Sequence, residues 1–509
     1  NVWTPTWDGK GQLKTLADPL GHTLTHTYDR ADNRIQTQDG AGRATTYGYD
    51  PANRLVRIAN ALNQAQTVAY DKQGHLTGRS DETGTPIQTL AYDLNGRLTG
   101  DTDGNGNLTA YRYPNSAPAS TLPSRIDTPT FSRTLTWDAR ERVTQTQDQL
   151  DPANPATAYT RLQAYDKAGR PTRITDRNGQ ITTLAYDSLG RLITVTDPLG
   201  GITRYTYDPW DRLIAVTDPK GNTTTYGYDQ AGRRTSETRP LGATQTWSYD
   251  PAGNLTRTTD AKGNVIAYGY DDARRRISET HTPAGASAPS RSIGYSYNAA
   301  NALTGFTDSQ STAQGNLTLT HVYVLDELHR KTQETVTVTD TTGSRSYVTQ
   351  QAYSPTGQLA RFTWPDGYAA NYSYDANQNA TGIALPEGSL TTPTQRWNQP
   401  TRIQLPGGSA IDQSYDALMR PVQTQAKTGG GATLLTRTLG YDPESNILQK
   451  DTEFGTHSYQ YDALYRLTNA SNPTLANEAY TYDAVGNRLT DKLDRKSTRL
   501  NSSHSDRSR

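Results

Sequence analysis

Carboxylates and histidines are the residues of this sequence that have the most obvious potential for chemistry. The segment Asp101–Gly106 begins like an EF-hand calcium loop, but the twelfth position is Arg112, where such a loop needs a bidentate glutamate. His22 and His26 are four residues apart, and a strand would separate them by about 13 Å. The eight histidines form no HExxH pattern, and the chain has no cysteine. The sequence therefore predicts neither a metal site nor a cofactor.

Motifs for catalysis and for nucleic-acid binding are also missing. There is no GxSxG elbow and no phosphate-binding glycine loop. A carboxylate pair for glycoside hydrolysis remains open, although the prominent aspartates occupy turn-capping positions. The 51 basic and 51 acidic residues balance, and we interpret the basic run Arg274–Arg276 as a solvated turn. We expect no enzymatic activity and no nucleic-acid partner.

The aromatic content separates this chain from a disordered one. Only 33% of the 509 residues are hydrophobic and the mean hydropathy is −0.82, values that are typical of disorder when aromatic residues are few. Here 32 tyrosines and 7 tryptophans accompany 4 phenylalanines. No apolar run approaches the roughly 18 residues of a membrane-spanning helix. An ordered fold with distributed aromatic contacts is expected.

The tyrosines recur in a fixed phrase. Between Tyr165 and Tyr270 the dipeptide Tyr-Asp returns every 21 residues, five times in succession, which indicates a repeat array. The predicted structural repeat positions are the tyrosines of these dipeptides and four turn glycines: Tyr28, Tyr49, Tyr70, Tyr92, Tyr165, Tyr186, Tyr207, Tyr228, Tyr249, Tyr270, Tyr374, Tyr415, Tyr441, Tyr461, Tyr482, Gly190, Gly200, Gly221 and Gly253.

One unit, residues 183–200, shows how each phrase is expected to fold. Leu184 and Tyr186 are two residues apart, which places them on one face of a strand. In the turn Asp187–Gly190, the aspartate caps the turn and the glycine accepts the left-handed conformation. The turn Asp197–Gly200 repeats this chemistry at the other end of the next strand. Each unit is therefore predicted to be a β-hairpin.

The turn length also predicts the register of each hairpin. If the turn glycine forms a bulge, the tyrosine lies opposite the leucine six residues later, and such pairs contribute roughly 0.2–1 kcal/mol each. Tyrosine is expected to pack its ring there and to leave its hydroxyl in water. The predicted pairs are Tyr49–Leu55, Tyr92–Leu98, Tyr186–Leu192, Tyr207–Leu213, Tyr249–Leu255 and Tyr461–Leu467.

These elements predict an all-β fold, a hairpin array that winds as a large coiled antiparallel sheet. About forty strands at a spacing of about 4.8 Å make a ribbon of roughly 190 Å. Strand twist accumulates over such a width, so the ribbon must coil and either close on itself or wind around something.

The array is predicted to occupy residues 1–493, with about 20 hairpins of about 21 residues. Loop-like insertions lie near residues 114–127, 282–290 and 427–433. Residues 494–509 abandon the pattern, and the first eleven of them match the translation of a widely used sequencing-library adapter. We interpret this tail as non-native. An isolated array exposes strand edges, so we expect the fragment to aggregate.

The phrase TYDPWDRLIAVTDPKGNTTTYGYDQAGR (206–233) resembles the consensus of the Rhs/YD-repeat family, and the resemblance extends from about Trp7 to Leu493. The family includes bacterial Rhs polymorphic toxins, the shell subunits of insecticidal toxin complexes and the teneurins. The resemblance implies a hollow β-shell, part of which is encoded here. In bacterial members the shell encloses a variable C-terminal toxin, which a self-cleaving segment frees. Nothing here matches that segment, since the Asp-Pro motifs at Asp18, Asp197 and Asp218 fall in phase with the repeat.

The resemblance implies a structural shell that sequesters its own C-terminal toxin domain for delivery into competitor or host cells. It further implies a bacterial protein that is secreted or associated with the cell surface or envelope. A secretion-system spike or adaptor, as in type VI secretion, is a further implied partner. Two alternatives remain open: a cell-surface carbohydrate-binding or adhesion protein that uses exposed tyrosine and tryptophan, and an enzyme that uses the shell as a scaffold.

Overall fold

The computed structural model describes residues 2–114, 120–151 and 153–491. It contains 44 strands in one long antiparallel sheet, in which paired strands are neighbours in the chain. The predicted all-β hairpin array is thereby confirmed. The sheet divides into two compact units. Unit 1 comprises the residues up to Asn107 together with Gly227–Ser389, and unit 2 comprises Leu108–Tyr226 together with the residues from Leu390 onwards.

The strands up to residue 107 are Thr4–Trp7 (β1), Leu13–Ala17 (β2), Thr23–Tyr28 (β3), Arg34–Gln38 (β4), Ala44–Tyr49 (β5), Leu55–Ala59 (β6), Ala65–Tyr70 (β7), Leu76–Ser80 (β8), Pro86–Tyr92 (β9) and Leu98–Asp103 (β10). The strands that follow as far as residue 228 are Leu108–Arg112 (β11), Arg125–Asp127 (β12), Ser132–Trp137 (β13), Val143–Gln149 (β14), Ala158–Tyr165 (β15), Pro171–Thr175 (β16), Ile181–Tyr186 (β17), Leu192–Thr196 (β18), Ile202–Tyr207 (β19), Leu213–Thr217 (β20) and Thr223–Tyr228 (β21).

The next strands, as far as residue 385, are Arg234–Thr238 (β22), Thr244–Tyr249 (β23), Leu255–Thr259 (β24), Val265–Tyr270 (β25), Arg276–Thr282 (β26), Arg291–Tyr297 (β27), Leu303–Thr312 (β28), Gly315–Leu325 (β29), Lys331–Asp340 (β30), Gly343–Tyr353 (β31), Leu359–Thr363 (β32), Ala369–Tyr374 (β33) and Ala380–Leu385 (β34). The last strands are Gly388–Arg396 (β35), Gln399–Gln404 (β36), Ala410–Tyr415 (β37), Pro421–Lys427 (β38), Thr433–Tyr441 (β39), Ile447–Thr452 (β40), Gly455–Tyr461 (β41), Leu467–Ser471 (β42), Glu478–Tyr482 (β43) and Arg488–Asp491 (β44). Three single 3-10 turns, Pro155–Thr157, Pro240–Gly242 and Pro406–Gly408, complete the elements.

The predicted period of two is visible in the burial of several strands. In β17 the side chains of Thr182, Leu184 and Tyr186 are half-buried, and those between them are exposed. The predicted hairpin register is confirmed, because each tyrosine pairs with the leucine six residues later and a bulge shifts the ladder at that point. The observed pairs are Tyr49–Leu55, Tyr92–Leu98, Tyr186–Leu192, Tyr207–Leu213, Tyr249–Leu255 and Tyr461–Leu467.

Two kinds of turn alternate along the sheet. The YD turns begin at the aspartate after the strand-ending tyrosine, as in Asp187–Gly190, and the return turns lie at the opposite end of the hairpins, as in Asp197–Gly200. In both kinds the fourth residue is left-handed, with φ of +90° at Gly190 and +83° at Gly200. Gly221 and Gly253 follow the same pattern. The predicted role of these glycines is confirmed, since a left-handed residue allows the chain to leave the turn and pair with the preceding strand.

Burial is spread over the sheet rather than concentrated in one core. The buried apolar residues of the described ranges are few and mostly small, among them Ala59, Ala370 and Ala410, and the bulkiest fully buried side chain is that of Asp148. Order must therefore come from many repeated local contacts along the sheet, because a conventional hydrophobic interior is missing from the described part of the chain.

The longer steps between repeats contain more structure than loops. The segment near residues 114–127 includes β12, which pairs with β11 and β13. Loop residues 283–290 connect β26 to β27, and the turn at residues 428–431 connects β38 to β39. The suspected tail, residues 494–509, lies outside the described residues.

Candidate functional site: the hairpin ladder and the turn seams

The aspartate of each YD turn organises the turn through one carboxylate oxygen. The Oδ1 atom of Asp187 accepts hydrogen bonds from the backbone N–H groups of Leu189, at 3.0 Å, and of Arg191, at 2.9 Å. These bonds satisfy donors that the tight turn leaves without partners. Return turns use the same arrangement, as Asp197 Oδ1 does with Leu199 and Gly201. The predicted turn-capping role of the aspartates is confirmed.

In many of the hairpins an arginine then makes the connection to the next hairpin. Arg191 Nε lies 2.7 Å from Asp187 Oδ2, and Nη1 donates to the backbone carbonyl of Asp208 at 3.1 Å. The guanidinium carbon is also 5.0 Å from the centre of the Tyr207 ring. Nη1 also lies 2.9 Å from Asp211 Oδ1. The planar guanidinium thus contacts four partners at once, which its several donors and its affinity for aromatic faces allow.

The tyrosine hydroxyl completes the link in the opposite direction. Tyr207 Oη donates to the backbone carbonyl of Leu192, the residue that begins the preceding hairpin's second strand, at 2.9 Å. The prediction that the hydroxyl stays in water is wrong, because the bulge leaves that carbonyl within reach of the next tyrosine. The same bond to an earlier strand is made by Tyr28, Tyr49, Tyr165, Tyr186, Tyr249, Tyr270, Tyr374, Tyr415, Tyr441, Tyr461 and Tyr482.

We call this set of contacts the ladder. Its arginine contacts recur at Arg54, Arg142, Arg170, Arg233, Arg420 and Arg466. At Tyr92 a histidine takes the place of the arginine, with the His75 ring stacked at 4.8 Å. Tyr70 receives Arg54 on its ring, and Tyr228 ends β21 at the same repeat position.

The ladder shifts the titration of its members. The backbone N–H of Arg191 and then its guanidinium hold the pKa of Asp187 below the ordinary value, against the effect of burial. Hydrogen bonds from Arg142 lower the pKa of Asp138 to about 2. Burial raises the pKa of Tyr207. The carboxylates therefore stay charged, and the tyrosine stays protonated as a donor.

Unit 1 contains a second set of contacts, in which return turns of the residues up to 107 meet YD turns more than 260 residues later. Asn105 Nδ2 donates to Asp375 Oδ2 at 2.9 Å, and Asn377 Nδ2 donates to Asp103 Oδ2 at 2.8 Å. Asn301 Nδ2 donates to Asp18 Oδ2 at 3.3 Å. In each case the accepting atom is Oδ2, the oxygen that does not cap the turn. We call this row of reciprocal contacts the unit 1 seam.

His329 holds a central place in the unit 1 seam. Its Nε2 lies 2.8 Å from Asp39 Oδ2, and its Nδ1 lies 2.7 Å from Arg43 Nη1. Because arginine can only donate, Nδ1 is the acceptor and Nε2–H is the donor to Asp39. Arg43 Nε also lies 3.2 Å from Glu327 Oε2. His329 occupies the fourth turn position with φ of +62°, so a polar side chain stands where most turns have glycine.

Two glycines of the unit 1 seam permit the close approach of the turns. A Cβ atom on Gly104 would lie 2.6 Å from the backbone carbonyl oxygen of Ala376, and one on Gly40 would lie 2.7 Å from that of Ala299. Neither distance is tolerable for a carbon against a backbone oxygen. Both glycines occupy the second position of a return turn, so a missing side chain there sets the spacing of the seam.

Unit 2 has a seam of its own with the same chemistry. Asn178 Nδ2 donates to Asp442 Oδ2 at 2.8 Å, and Lys220 Nζ lies 3.0 Å from Asp483 Oδ2. The hydroxyl of Tyr465 donates to Asp176. Burial and this hydrogen bond to a carboxylate raise the pKa of Tyr465. Tyr465, like His329, is a left-handed residue at the fourth position of its turn.

The residues that the sequence analysis considered as metal ligands lie in turns and strands. Asp103 begins the return turn that contains Asn105, so the EF-hand-like segment is a turn of the seam. His22 Nδ1 contacts Asp18 Oδ2 at 2.9 Å, whereas His26 Nδ1 contacts Thr37 Oγ1 at 3.1 Å, and the two histidines share no partner. Within the described residues, no cluster of three or more His, Cys, Asp or Glu side chains could hold a metal ion.

The basic run is only partly the solvated turn that was predicted. Arg274 is the exposed left-handed residue of the turn, with φ of +63°. Arg275 instead binds Asp271 and stacks on Tyr297, and Arg276 binds Glu279 and stacks on Tyr295. The prediction is wrong for Arg275, because the position directly after the turn is the arginine position of the ladder, whereas Arg276 is exposed at the start of β26. None of the helices in the described ranges has the length and apolar character needed to cross a membrane.

Two features of the site escaped the sequence interpretation. An arginine directly follows many of the YD turns, whereas asparagine follows others, and the recurrence of this arginine was the available signal for its role. The seams left only a faint signal, namely polar residues in left-handed positions that favour glycine, such as Asn301, His329 and Tyr465.

Family models match two parts of the chain. The RHS repeat model matches residues 7–44, 49–86 and 70–108, and the teneurin YD-shell model matches residues 126–287. A search of the curated proteins finds no match.

Solved structures of similar fold cover nearly the whole chain. The crystal structure of TcdB2-TccC3 has a TM-score of 0.62 at 14% identity, over 97% of this chain and 34% of that chain. A structure of the Photorhabdus luminescens Tc holotoxin pore has a TM-score of 0.62 at 13% identity, over 96% of this chain and 35% of that chain. The chain thus spans about a third of the length of these structures, and the likeness establishes a common fold.

Proposed function

Because this chain belongs to the Rhs/YD-repeat family, we propose that it forms part of the wall of a secreted shell that encloses a toxin domain. The shell-type fold is the premise, and enclosure and delivery are the proposal. The chain would then have a structural rather than a catalytic role, since its conspicuous carboxylates accept hydrogen bonds in the turns, the ladder and the seams.

The seams are the observation that carries this proposal. In each unit, hairpins separated by 263–290 residues meet through their turns, with side chains of each turn donating to carboxylates of the other. Turns that are joined in this way no longer move independently, so the sheet behaves as a wall. A polypeptide behind such a wall is shielded from proteases and from premature contact with its target.

The similar structures support the same interpretation. One of them is described as TcdB2-TccC3 without the hypervariable C-terminal region, and its TM-score with this chain is 0.62 at 13% identity. In that protein the fold therefore persists when the variable region is absent. We propose that this chain likewise folds as a container that is independent of the chemistry of its cargo.

Protease protection tests the proposal. The complete gene would be recovered and expressed with whatever domain follows the repeats, and that domain would be probed by limited proteolysis before and after mild denaturation. We expect the following domain to resist cleavage in the native protein and to be cleaved once the wall opens. Gly104→Ala, which forces the unit 1 seam apart, should speed cleavage, whereas Gly9→Ala, at the same turn position with open space around it, should not. Equal cleavage of the native and opened proteins would contradict enclosure.

Carbohydrate binding is the second candidate, and exposed tryptophan is the observation in its favour. Trp210 is 74% exposed at the tip of a YD turn, although Arg212 covers part of its ring at 5.0 Å. A glycan-array signal that disappears with Trp210→Ala would support this function. No binding to any glycan on the array would leave the shell as the single proposal.

A further inference from the structure

The longest neighbouring strands form a tongue that projects beyond the rest of unit 1. The tongue consists of β28, β29, β30 and β31, with 10, 11, 10 and 11 residues, whereas the flanking strands β27 and β32 have 7 and 5. On one side β27 pairs with β28 as far as Arg291 and Gln310, and Ser311 N donates to Ser290 O beyond that point. On the other side β32 pairs only with Gln350–Tyr353 of β31.

The remaining part of β31, residues 343–349, therefore has β30 on one side and no paired strand of the described chain on the other. We call it the free edge. From Gly343 to Val348 every residue is exposed, on both faces of the strand. Tyr347 and Val348 expose 46% and 38% of their surface. A β-branched and aromatic strand with an open side is a template for pairing with a further strand.

The hairpin geometry determines which backbone groups are open. Asp340 and Gly343 are paired across a two-residue turn, so the N–H and C=O groups of Gly343, Arg345, Tyr347 and Thr349 point towards β30. The groups of Ser344, Ser346 and Val348 alternate with them and point outwards. The side-chain hydroxyls of Ser344 and Ser346 contact Thr339 and Thr337 of β30, at 2.7 Å and 2.8 Å, so they hold the edge flat.

We propose that the free edge pairs with the free edge of a second copy of this chain, antiparallel and centred on Ser346. In this register Arg345 lies opposite Tyr347 of the second copy, and Ser344 lies opposite its Val348. The two-fold axis generates each pair twice. Directly opposed side chains have Cβ atoms about 4.5–5.5 Å apart, which places the guanidinium on the tyrosine ring.

The chemistry of the free edge favours a second copy over another partner. Arg345 is the one charged side chain in residues 343–349, and Tyr347 is the one aromatic ring. They stand symmetrically about Ser346, so the segment is complementary to itself in the antiparallel direction. The same combination, a guanidinium over a tyrosine ring, links hairpins along the ladder. Because each tongue has its free edge on one side, this pairing joins two copies and forms a dimer.

Sedimentation velocity of the 509-residue chain tests this proposal. Between about 1 and about 100 µM we expect a reversible shift from monomer to dimer. Ser346→Pro removes an outward N–H that β30 does not use, so dimerisation should be lost, and Ser346→Thr should retain it. Arg345→Glu should weaken the dimer by about tenfold, since two guanidinium–ring contacts are lost.

Hydrogen exchange separates a loss of pairing from a loss of folding. In the native sequence the amides of Ser344, Ser346 and Val348 should gain protection as the concentration rises, while those of Arg345 and Tyr347 stay protected throughout. A chain that remains monomeric over the whole range would overturn the proposal. So would a dimer, or a larger aggregate, that forms equally well with Ser346→Pro.

Discussion

At the scale of single residues, the repeated tyrosine is a hydrogen-bond donor as much as an apolar side chain. Its ring packs against the strand and receives an arginine, and its hydroxyl reaches a carbonyl of the preceding hairpin. Phenylalanine would supply the ring alone. This difference explains why a chain with so few phenylalanines can still order its hairpins.

Tyr207→Phe should therefore lower the free energy of unfolding by about 0.5–1.5 kcal/mol, the net value of one hydrogen bond. Urea denaturation monitored by circular dichroism measures this change. Tyr205→Phe is the matched control, because Tyr205 lies on the same face of β19 and its hydroxyl has no hydrogen-bond partner among the described residues. Equal effects of the two substitutions would show that the bond to Leu192 contributes nothing.

Leu241 is a residue whose backbone conformation does not suit its side chain. Its φ is +69°, and its side chain is fully exposed. Left-handed geometry is costly for a side chain of this kind and cheaper for asparagine.

Leu241→Asn should raise the free energy of unfolding by about 0.5–1 kcal/mol, because strain is relieved and no packing is lost. Thermal unfolding provides the measurement. Leu94→Asn is the control, since Leu94 is an equally exposed turn leucine that does not have a positive φ. If both variants respond alike, hydrophobic exposure rather than strain is responsible.

At the scale of elements, the turns have two different tasks. A turn must reverse the chain, and in the seams it must also fit against a turn from a distant hairpin. Gly104 and Gly40 show the second requirement, because open space for a Cβ exists at Gly9, the second residue of the turn between β1 and β2, but not at these two sites.

Gly104→Ala should selectively loosen the unit 1 seam. The added methyl group would collide with the Ala376 carbonyl, so the turns must separate and the bonds between Asn105 and Asp375 must lengthen or break. Hydrogen exchange should accelerate in residues 103–107 and 375–379 and remain unchanged in distant hairpins. Gly9→Ala should leave exchange unchanged everywhere. Acceleration with both variants would indicate a general effect of alanine on turns instead.

At the scale of the whole molecule, the stability of the protein depends on carboxylates that must remain charged. Burial tends to raise the pKa of Asp39, but the backbone N–H of Arg43 and the ring of His329 outweigh it and hold the pKa below the ordinary 3.8. The same balance lowers the pKa of Asp103 and of Asp375, with asparagines as the principal side-chain donors. A carboxyl group whose pKa is lower in the folded state than in the unfolded state stabilises the folded protein at pH values above the ordinary pKa of the group.

We therefore expect stability that falls steeply below about pH 4. The loss proceeds as pH falls through the lowered folded-state values, since each proton removes an acceptor from a turn or a seam. Urea midpoints measured from pH 7 to about pH 2 provide the curve. Asp39→Asn removes one titrating group and should make the fall shallower. A midpoint that does not change down to about pH 2 would contradict this account.

The sequence predicted the local structure because all of its determinants are local. Tyr186 lies opposite Leu192, and Gly190 is left-handed, because a turn of given length and composition permits few other outcomes. The fate of the tyrosine hydroxyl was not predictable in this way, since it depends on where the preceding hairpin places the Leu192 carbonyl.

The sequence by itself determined the hairpins, their register and the family to which the chain belongs. Only the tertiary structure decided which turns meet, how far apart the seams hold them, and which edge of the tongue is left open. These features depend on twist accumulated over many strands, where a small change per strand shifts a contact 263–290 residues away by a whole hairpin. Short-range sequence patterns therefore do not predict the accumulated twist.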